Sequence, residues 1–199
     1  MGNIGDIRQY KSNLRQKYRT LRDKIDPTQK LKLDNDILKR IFMLNQYASA
    51  DTVLTYVSKG SEIDTKELIK KALSDGKRVA VPCCVPNTRE MNFYYISSLE
   101  ELSVKSFGVL EPEMDDQRIF KGSERSICFI PAFCFDNNGY RLGYGMGYYD
   151  RFLINYEGVT VGLCYSDFIR GHFQHGKFDC PVEIIVTEKF IRHTILNRR

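Results

Sequence analysis

Residues 140–152 read YRLGYGMGYYDRF, with Gly143, Gly145 and Gly147 in strict alternation among tyrosines, and with Asp150 and Arg151 closing the run. Glycine has the most conformational freedom to lose, so three in five positions weaken any ordinary strand or helix. What they permit is close approach of bare main chain to a bound group, whose negative charge peptide N–H groups can hold where a helix begins. The neighbours are the types such a site would use. Arg141 enters the loop as a fixed cation, Tyr148 and Tyr149 offer flat faces and hydroxyls, and Asp150 is a hard oxygen donor suited to magnesium. Together they predict a nucleoside triphosphate held beside a planar organic substrate. The spacing G-x-G-x-G is neither the G-x-x-x-x-G-K-S/T of a Walker loop nor the G-x-G-x-x-G of a dinucleotide fingerprint. Spacing alone fits equally a tight loop packed beneath tyrosines.

A second group lies near the start of the chain. Lys11 and Arg15 stand four residues apart, on one face if the segment is helical, where they could clamp an anion or form an ordinary solvated face. His172 and His175 invite a general-base reading, but a surface-loop role is expected. Cys134 has no histidine near it in sequence and reads as packing. The six cysteines, Cys83, Cys84, Cys128, Cys134, Cys164 and Cys180, include no C-x-x-C pair and no histidine at zinc-finger spacing; they read as buried free thiols.

These residues need a scaffold, and the composition provides one. With 199 residues, 42% hydrophobic content and a formal net charge of +5, the chain can bury a core and is too apolar for disorder. Basic residues crowd the first forty and last eight positions, but without an RGG tract or RNA-binding signature nucleic acid is not expected as a partner. No run approaches the ~20 apolar residues of a membrane span, and the start MGNIGDIRQYKSNLR lacks the apolar core of a secretory signal. A cytoplasmic protein with no membrane partner is the expectation.

Ile7, Tyr10, Leu14, Tyr18, Leu21 and Ile25 recur at three- and four-residue steps, which predicts a helix over 6–24. Asp26-Pro27 caps a second helix running to about Tyr47, with Leu31, Ile37, Leu38, Ile41 and Phe42 inward. From Asp51 the texture changes to strand-like runs: TVLTYV, KRVAVPCCV, MNFYYI, SICFIPAFCF, VTVGLCY and EIIVTE. Between the first two, Asp64 can cap a helix through Leu73 and Gly76 can end it, giving a strand, helix, strand unit. Another helix is expected from Asp150 to about Tyr156. Alternating strands and helices predict a largely parallel α/β sheet covered on both faces, in one compact domain. In such sheets ligands collect where loops leave the carboxyl ends of strands, and SICFIPAFCF delivers the chain into the glycine loop at such an end.

The run from Pro131 through Phe152, PAFCFDNNGYRLGYGMGYYDRF, resembles the signature of the 5-formyltetrahydrofolate cyclo-ligases, also called methenyltetrahydrofolate synthetases. The likeness extends over almost the whole chain: KSNLRQKYRTLR near the start, VSKGSEIDTKELI in the first strand–helix unit, GVLEPE at 108–113 and CPVEIIVTE near the end. The resemblance implies one Rossmann-like α/β domain over 1–199, akin to sugar-phosphate isomerases and CoA transferases. It also implies use of ATP and magnesium to turn 5-formyltetrahydrofolate into 5,10-methenyltetrahydrofolate, with ADP and phosphate released. The formyl oxygen would capture the terminal phosphoryl group, and the other folate nitrogen would close the ring and expel phosphate.

Carried over by position, the resemblance assigns ATP to Lys11, Ser12, Asn13, Leu14 and Arg15, and to the loop Arg141, Leu142, Gly143, Tyr144, Gly145, Met146, Gly147, Tyr148 and Tyr149. The folate falls to Val57, Glu62 and Met91 together with Tyr144, Gly145, Met146, Gly147 and Tyr148. Glu62 would hold the pterin edge. Arg141, Tyr148 and Asp150 would act in catalysis, and Asp150 and Glu183 would ligate magnesium. Some relatives carry basic residues inside the loop; here those slots hold Tyr144 and Met146, so phosphate charge must be met by Lys11, Arg15, Arg141 or the metal. Lys59, Lys105 and Arg170 are candidates for a polyglutamate tail, and a monomer is expected. Two other readings share parts of this pattern: an isomerase or CoA-transferase-like enzyme needing no ATP, and a non-catalytic folate- or nucleotide-binding protein.

Overall fold

A computed structural model describes residues 4–105, 108–123 and 125–194. Two long helices open the chain, α1 (Ile4–Asp23) and α2 (Pro27–Phe42), followed by the short α3 (Asn45–Ser49). The Asp26 carboxylate caps α2 by accepting from the N–H groups of Thr28 (2.9 Å) and Gln29 (3.2 Å), with Pro27 in the first turn. The predicted run to Tyr47 is not continuous. Leu44 turns extended at φ −70° and ψ 127°, and the new direction of α3 buries Leu44 and Tyr47. Leu31, expected inward, is 63% exposed.

The remaining elements are β1 (Thr52–Thr55), α4 (Lys66–Ser74), β2 (Arg78–Cys84), β3 (Met91–Ile96), β4 (Ser103–Val104), β5 (Leu110–Glu111), β6 (Ser126–Pro131), β7 (Cys134–Asp136), β8 (Arg141–Leu142), α5 (Tyr148–Ile154), β9 (Val159–Leu163), β10 (Ile169–Arg170), β11 (Ile184–Val186) and β12 (Ile191–His193). Seven form one sheet in the order β12-β11-β9-β6-β1-β2-β3, parallel except at β12 and β3, which run antiparallel at the two edges. SICFIPAFCF is two strands, not one: β6 ends at Pro131, and β7 joins β8 and β10 in a separate small sheet. Proline has no N–H for a ladder, and the chain leaves the sheet there.

β1 and β6 are buried at every position, as in a sheet covered on both faces. The crossovers β1-α4-β2 and β6-α5-β9 advance in opposite directions across the sheet, so right-handed connections put α4 and α5 on opposite faces. On the α5 side Phe152 packs on Phe93 with ring centroids 4.6 Å apart. In the core Leu54, Leu68, Ile127 and Phe129 are wholly buried, each worth roughly 1.5–3 kcal/mol. α4 starts where the Asp64 carboxylate accepts from the Lys66 N–H at 3.0 Å and stops before Gly76, at φ +75°. Strand order reverses between β1 and β6, and there the chains leaving their carboxyl ends diverge to form a crevice.

Candidate active site

A cleft of about 900 Å³ opens at this reversal. It is lined by Tyr56 and Val57 just past the end of β1, from β6 by Pro131, from the hairpin of β2 and β3 by Pro82, Cys84 and Met91, from α1 by Lys11 and Arg15, and from residues 141–150 by the whole glycine loop. A volume of this size suits small-molecule sites, whose usual range is ~300–1,000 Å³.

The three glycines do different things. Gly145 (φ +100°) and Gly147 (φ +72°) occupy the left-handed region that a side chain disfavours. A β-carbon on Gly145 would also lie 3.0 Å from the Arg15 guanidinium carbon, and one on Gly147 3.0 Å from Arg151 Nη1. Two glycines therefore make room for arginines, while Gly143 faces open space. Arg15 Nε donates to the Gly143 carbonyl at 2.8 Å, tying α1 to the loop. Arg151 Nη1 donates to the carbonyls of Met146 (3.1 Å) and Gly147 (3.0 Å), and α5 begins on Gly147 with no side chain capping it.

Arg141 is a buried anchor. Its Nη1 donates to the Cys180 carbonyl at 2.7 Å and its Nη2 to Asp150 Oδ1 at 2.6 Å. Asp150 Oδ1 also accepts from the Cys180 N–H at 3.2 Å. Its second oxygen takes no hydrogen bond among the described residues and belongs to a side chain one-quarter exposed. That arrangement fits magnesium of the usual nucleotide kind, held by one carboxylate with phosphate oxygens and water. No group of three or more His, Cys, Asp or Glu among the described residues could hold a metal alone. Glu183 does not join Asp150. Its carboxylate accepts from the N–H (2.7 Å) and hydroxyl (3.2 Å) of Thr160 in the first half of β9, and it lies outside the cleft lining. A carboxylate already satisfied by two donors of an interior strand is committed to the sheet and not to the cleft.

On α1, Lys11 and Arg15 reach the cleft, whereas Ser12 and Asn13 are exposed and Leu14 is buried in the core. The helical period accounts for this, since residues three or four apart share one face, and Arg19 and Arg22 continue the same cleft-facing row. Lys11 pairs with Asp179 at 2.5 Å, and Asp179 also accepts from the Gly176 N–H at 2.9 Å. Burial pulls the Arg15 guanidinium below its ordinary value, against the opposing pull of Asp179. Asp179 sits on an unremarked loop and carried no sequence signal.

At the other end Glu62 accepts from the Lys59 N–H at 2.8 Å and from the Tyr144 hydroxyl. Tyr144 leans on Phe133 with centroids 4.8 Å apart, and Arg22 and Arg19 cover the same ring at 5.3 and 5.6 Å. Burial, then the Glu62 charge, pushes the Tyr144 phenol well up, so it donates. The Tyr149 hydroxyl is buried with no hydrogen-bond partner among the described residues, and burial raises it strongly. Met91 and Val57 are buried in the cleft wall. Lys59 also lines the cleft; Lys105 pairs with Glu113 at 2.9 Å, and Arg170 donates to the Tyr18 hydroxyl at 3.1 Å. Outside the cleft, His175 stacks on Tyr140 at 3.6 Å, and His172 Nδ1 stands 3.3 Å from Asp136 Oδ2. Cys134 is fully buried and, mainly through that burial, its thiol is pushed up to about 12, which disarms it as a nucleophile. All six cysteines are free.

Comparison with known proteins supplies what geometry alone does not. The family model of the 5-formyltetrahydrofolate cyclo-ligase family matches residues 7–188. The 5-formyltetrahydrofolate cyclo-ligase of Haemophilus influenzae is 30% identical over 163 residues, covering 79% of this chain and 87% of that protein. The Escherichia coli K12 enzyme of the same name is 28% identical over 173 residues, covering 85% and 95%. In three dimensions the chain is similar to Aquifex aeolicus 5,10-methenyltetrahydrofolate synthetase, with a TM-score of 0.81, 28% identity and 95% of each chain covered.

Proposed function

Since this chain belongs to the 5-formyltetrahydrofolate cyclo-ligase family, we propose that its cleft houses ATP and 5-formyltetrahydrofolate together and closes the folate ring to 5,10-methenyltetrahydrofolate, releasing ADP and phosphate. The observation carrying this reading is the meeting of an anion-facing end and an apolar, carboxylate-bearing end in one cleft: Lys11, Arg15 and the glycine loop on one side, Val57, Met91 and Glu62 on the other.

Phosphates lie against the bare loop, with Lys11 released from Asp179 to meet their charge. The folate lies along Val57, Met91 and Tyr148, and the Glu62 carboxylate takes N–H groups of the pterin edge in place of the Tyr144 hydroxyl. Arg141 holds Asp150 in place, and Asp150 would hold magnesium, which when bound supplies charge neutralisation at the phosphates. The chain's task is to align the formyl oxygen with the terminal phosphorus and exclude water; positioning of this kind dominates phosphoryl transfer. The protein works as a single domain and a monomer in the cytoplasm. No helix among the described residues is long and apolar enough to cross a membrane.

The test is an absorbance assay with ATP, magnesium and 5-formyltetrahydrofolate, run beside an ADP assay. Growth of the methenyl chromophore matched by equimolar ADP, at ~1 to 10³ per second, is expected. Binding without product, or product without ATP, overturns the reading.

A further inference from the structure

GVLEPE at 108–113 holds two glutamates with opposite fates. Glu113 is exposed and pairs with Lys105, whereas Glu111 on β5 is 4% exposed and lines the cleft beside Pro82, Cys84, Met91 and Tyr148. β5 pairs with β4 and packs on β2, so the strand pairing that hides Glu111 from solvent also fixes its position.

The other carboxylates of the cleft are compensated. Glu62 has a backbone N–H and a tyrosine hydroxyl, Asp150 has Arg141 and a backbone N–H, and Asp179 has Lys11 and a backbone N–H. Asp23 is exposed and takes the Ser61 hydroxyl at 2.7 Å. Glu111 has only thiols as side-chain partners among the described residues, that of Cys83 at 3.5 Å and that of Cys84, and no side-chain cation within 4 Å. A thiol is a weak donor, and burying a carboxylate with so little compensation is costly. A carboxylate held in place with its oxygens largely unused can take a proton from a group that enters beside it.

The proposed reaction delivers one. Its product joins folate nitrogens 5 and 10 through the former formyl carbon, and nitrogen 10 starts with a hydrogen that the product lacks. We propose that Glu111 is the base that removes the proton from nitrogen 10 as the ring closes. The lone pair of nitrogen 10 forms the new bond to the formyl carbon, and its proton passes to a Glu111 carboxylate oxygen. The carbon–oxygen bond then breaks, its electron pair leaving with inorganic phosphate, while the lone pair of nitrogen 5 completes the amidinium. Tyr148 connects this step to the glycine loop, since its hydroxyl meets the Cys84 thiol and lies within the field of Glu111. The assignment rests on the cyclo-ligase reading.

The experiment compares the full-length protein with Glu111→Gln and Glu111→Asp in single turnovers with ATP, magnesium and 5-formyltetrahydrofolate, following acid-quenched ADP and the methenyl chromophore separately. In Glu111→Gln, ring closure should slow by ~10²-fold or more, the usual reach of a general base. Folate-dependent ADP should still form within ~3-fold of the wild-type rate, so that it precedes product. Glu111→Asp should restore part of the ring-closure rate. Ring closure by Glu111→Gln within ~3-fold of wild type would overturn the assignment. So would a loss confined to KM and absent at saturating folate, which marks a residue that only holds the ring. If circular dichroism finds the glutamine variant unfolded, Glu111→Asp decides, and unchanged ring closure in it overturns the assignment. A wild type that binds both substrates yet forms no methenyl product overturns the cyclo-ligase reading and this step with it, an outcome that cannot be confused with a defect confined to the variants.

Discussion

Asp150 does two jobs, and they can be separated. It neutralises the 4%-exposed Arg141 side chain, and it offers an oxygen to the cleft. Asp150→Ala leaves a buried guanidinium facing one carbonyl, so urea denaturation should register a loss of about 3 kcal/mol, against the ~1 kcal/mol expected of a mere helix cap. Asp150→Asn keeps a hydrogen-bond acceptor for Arg141 and should stay folded while losing magnesium-dependent turnover by ~10²-fold or more. Tyr144 makes the opposite kind of prediction. Its hydroxyl occupies Glu62, so substrate must displace it, and a competent state that is only partly populated weakens apparent affinity. Tyr144→Phe should therefore lower the KM for the folate in steady-state assays; a rise would show the hydroxyl binding substrate instead. The glycine loop and Asp150 were legible in the sequence because they form one contiguous run. Asp179 and Glu111 were not, since the meaning of each comes from a partner that folding brings in: Lys11, 168 positions away, for Asp179, and the packing of β5 on β2 for Glu111.

Among elements, the decisive contact is between α1 and the loop before α5. Arg15 occupies the space a side chain at 145 would take, so Gly145→Ala meets both a strained φ of +100° and a guanidinium 3.0 Å away. The backbone term alone is about 1–2 kcal/mol. Displacing Arg15 from the Gly143 carbonyl should raise the KM for ATP by ~10-fold, readable by titrating ATP at saturating folate. Periodicity predicted both N-terminal helices, and alternating apolar runs predicted the parallel sheet, because these signals are local. The bend at Leu44 and the exit of the chain after Pro131 were missed. In each case the neighbouring sequence stays apolar through the break, and what ends the element is where the rest of the molecule offers burial.

For the molecule as a whole, the thiols set an alkaline limit. Burial first, then the Glu111 charge, pushes Cys83 up to about 12, and burial likewise pushes Cys134 up to about 12. In the unfolded chain a thiol ionises near ~8.5. Above that pH the unfolded state gives up protons that the folded state keeps, so it binds fewer, and stability falls as pH rises. Stability should be undiminished below pH ~8 and decline toward 12; the urea midpoint at pH ~9.5 should lie below that at ~7.5, and equal midpoints would contradict it.

The clasp between Lys11 and Asp179 has a further consequence, for how the protein is made. The first of these residues leaves the ribosome 168 positions ahead of the second, a wait of roughly 10–30 s at ordinary elongation rates. Ser61 and Phe133 emerge sooner and can engage Arg22, but Tyr18 waits for Phe168, so through most of that interval part of the helix's greasy stripe stays unburied. Biogenesis should thus depend on a chaperone holding the leading segment more than on the intrinsic speed of sheet assembly.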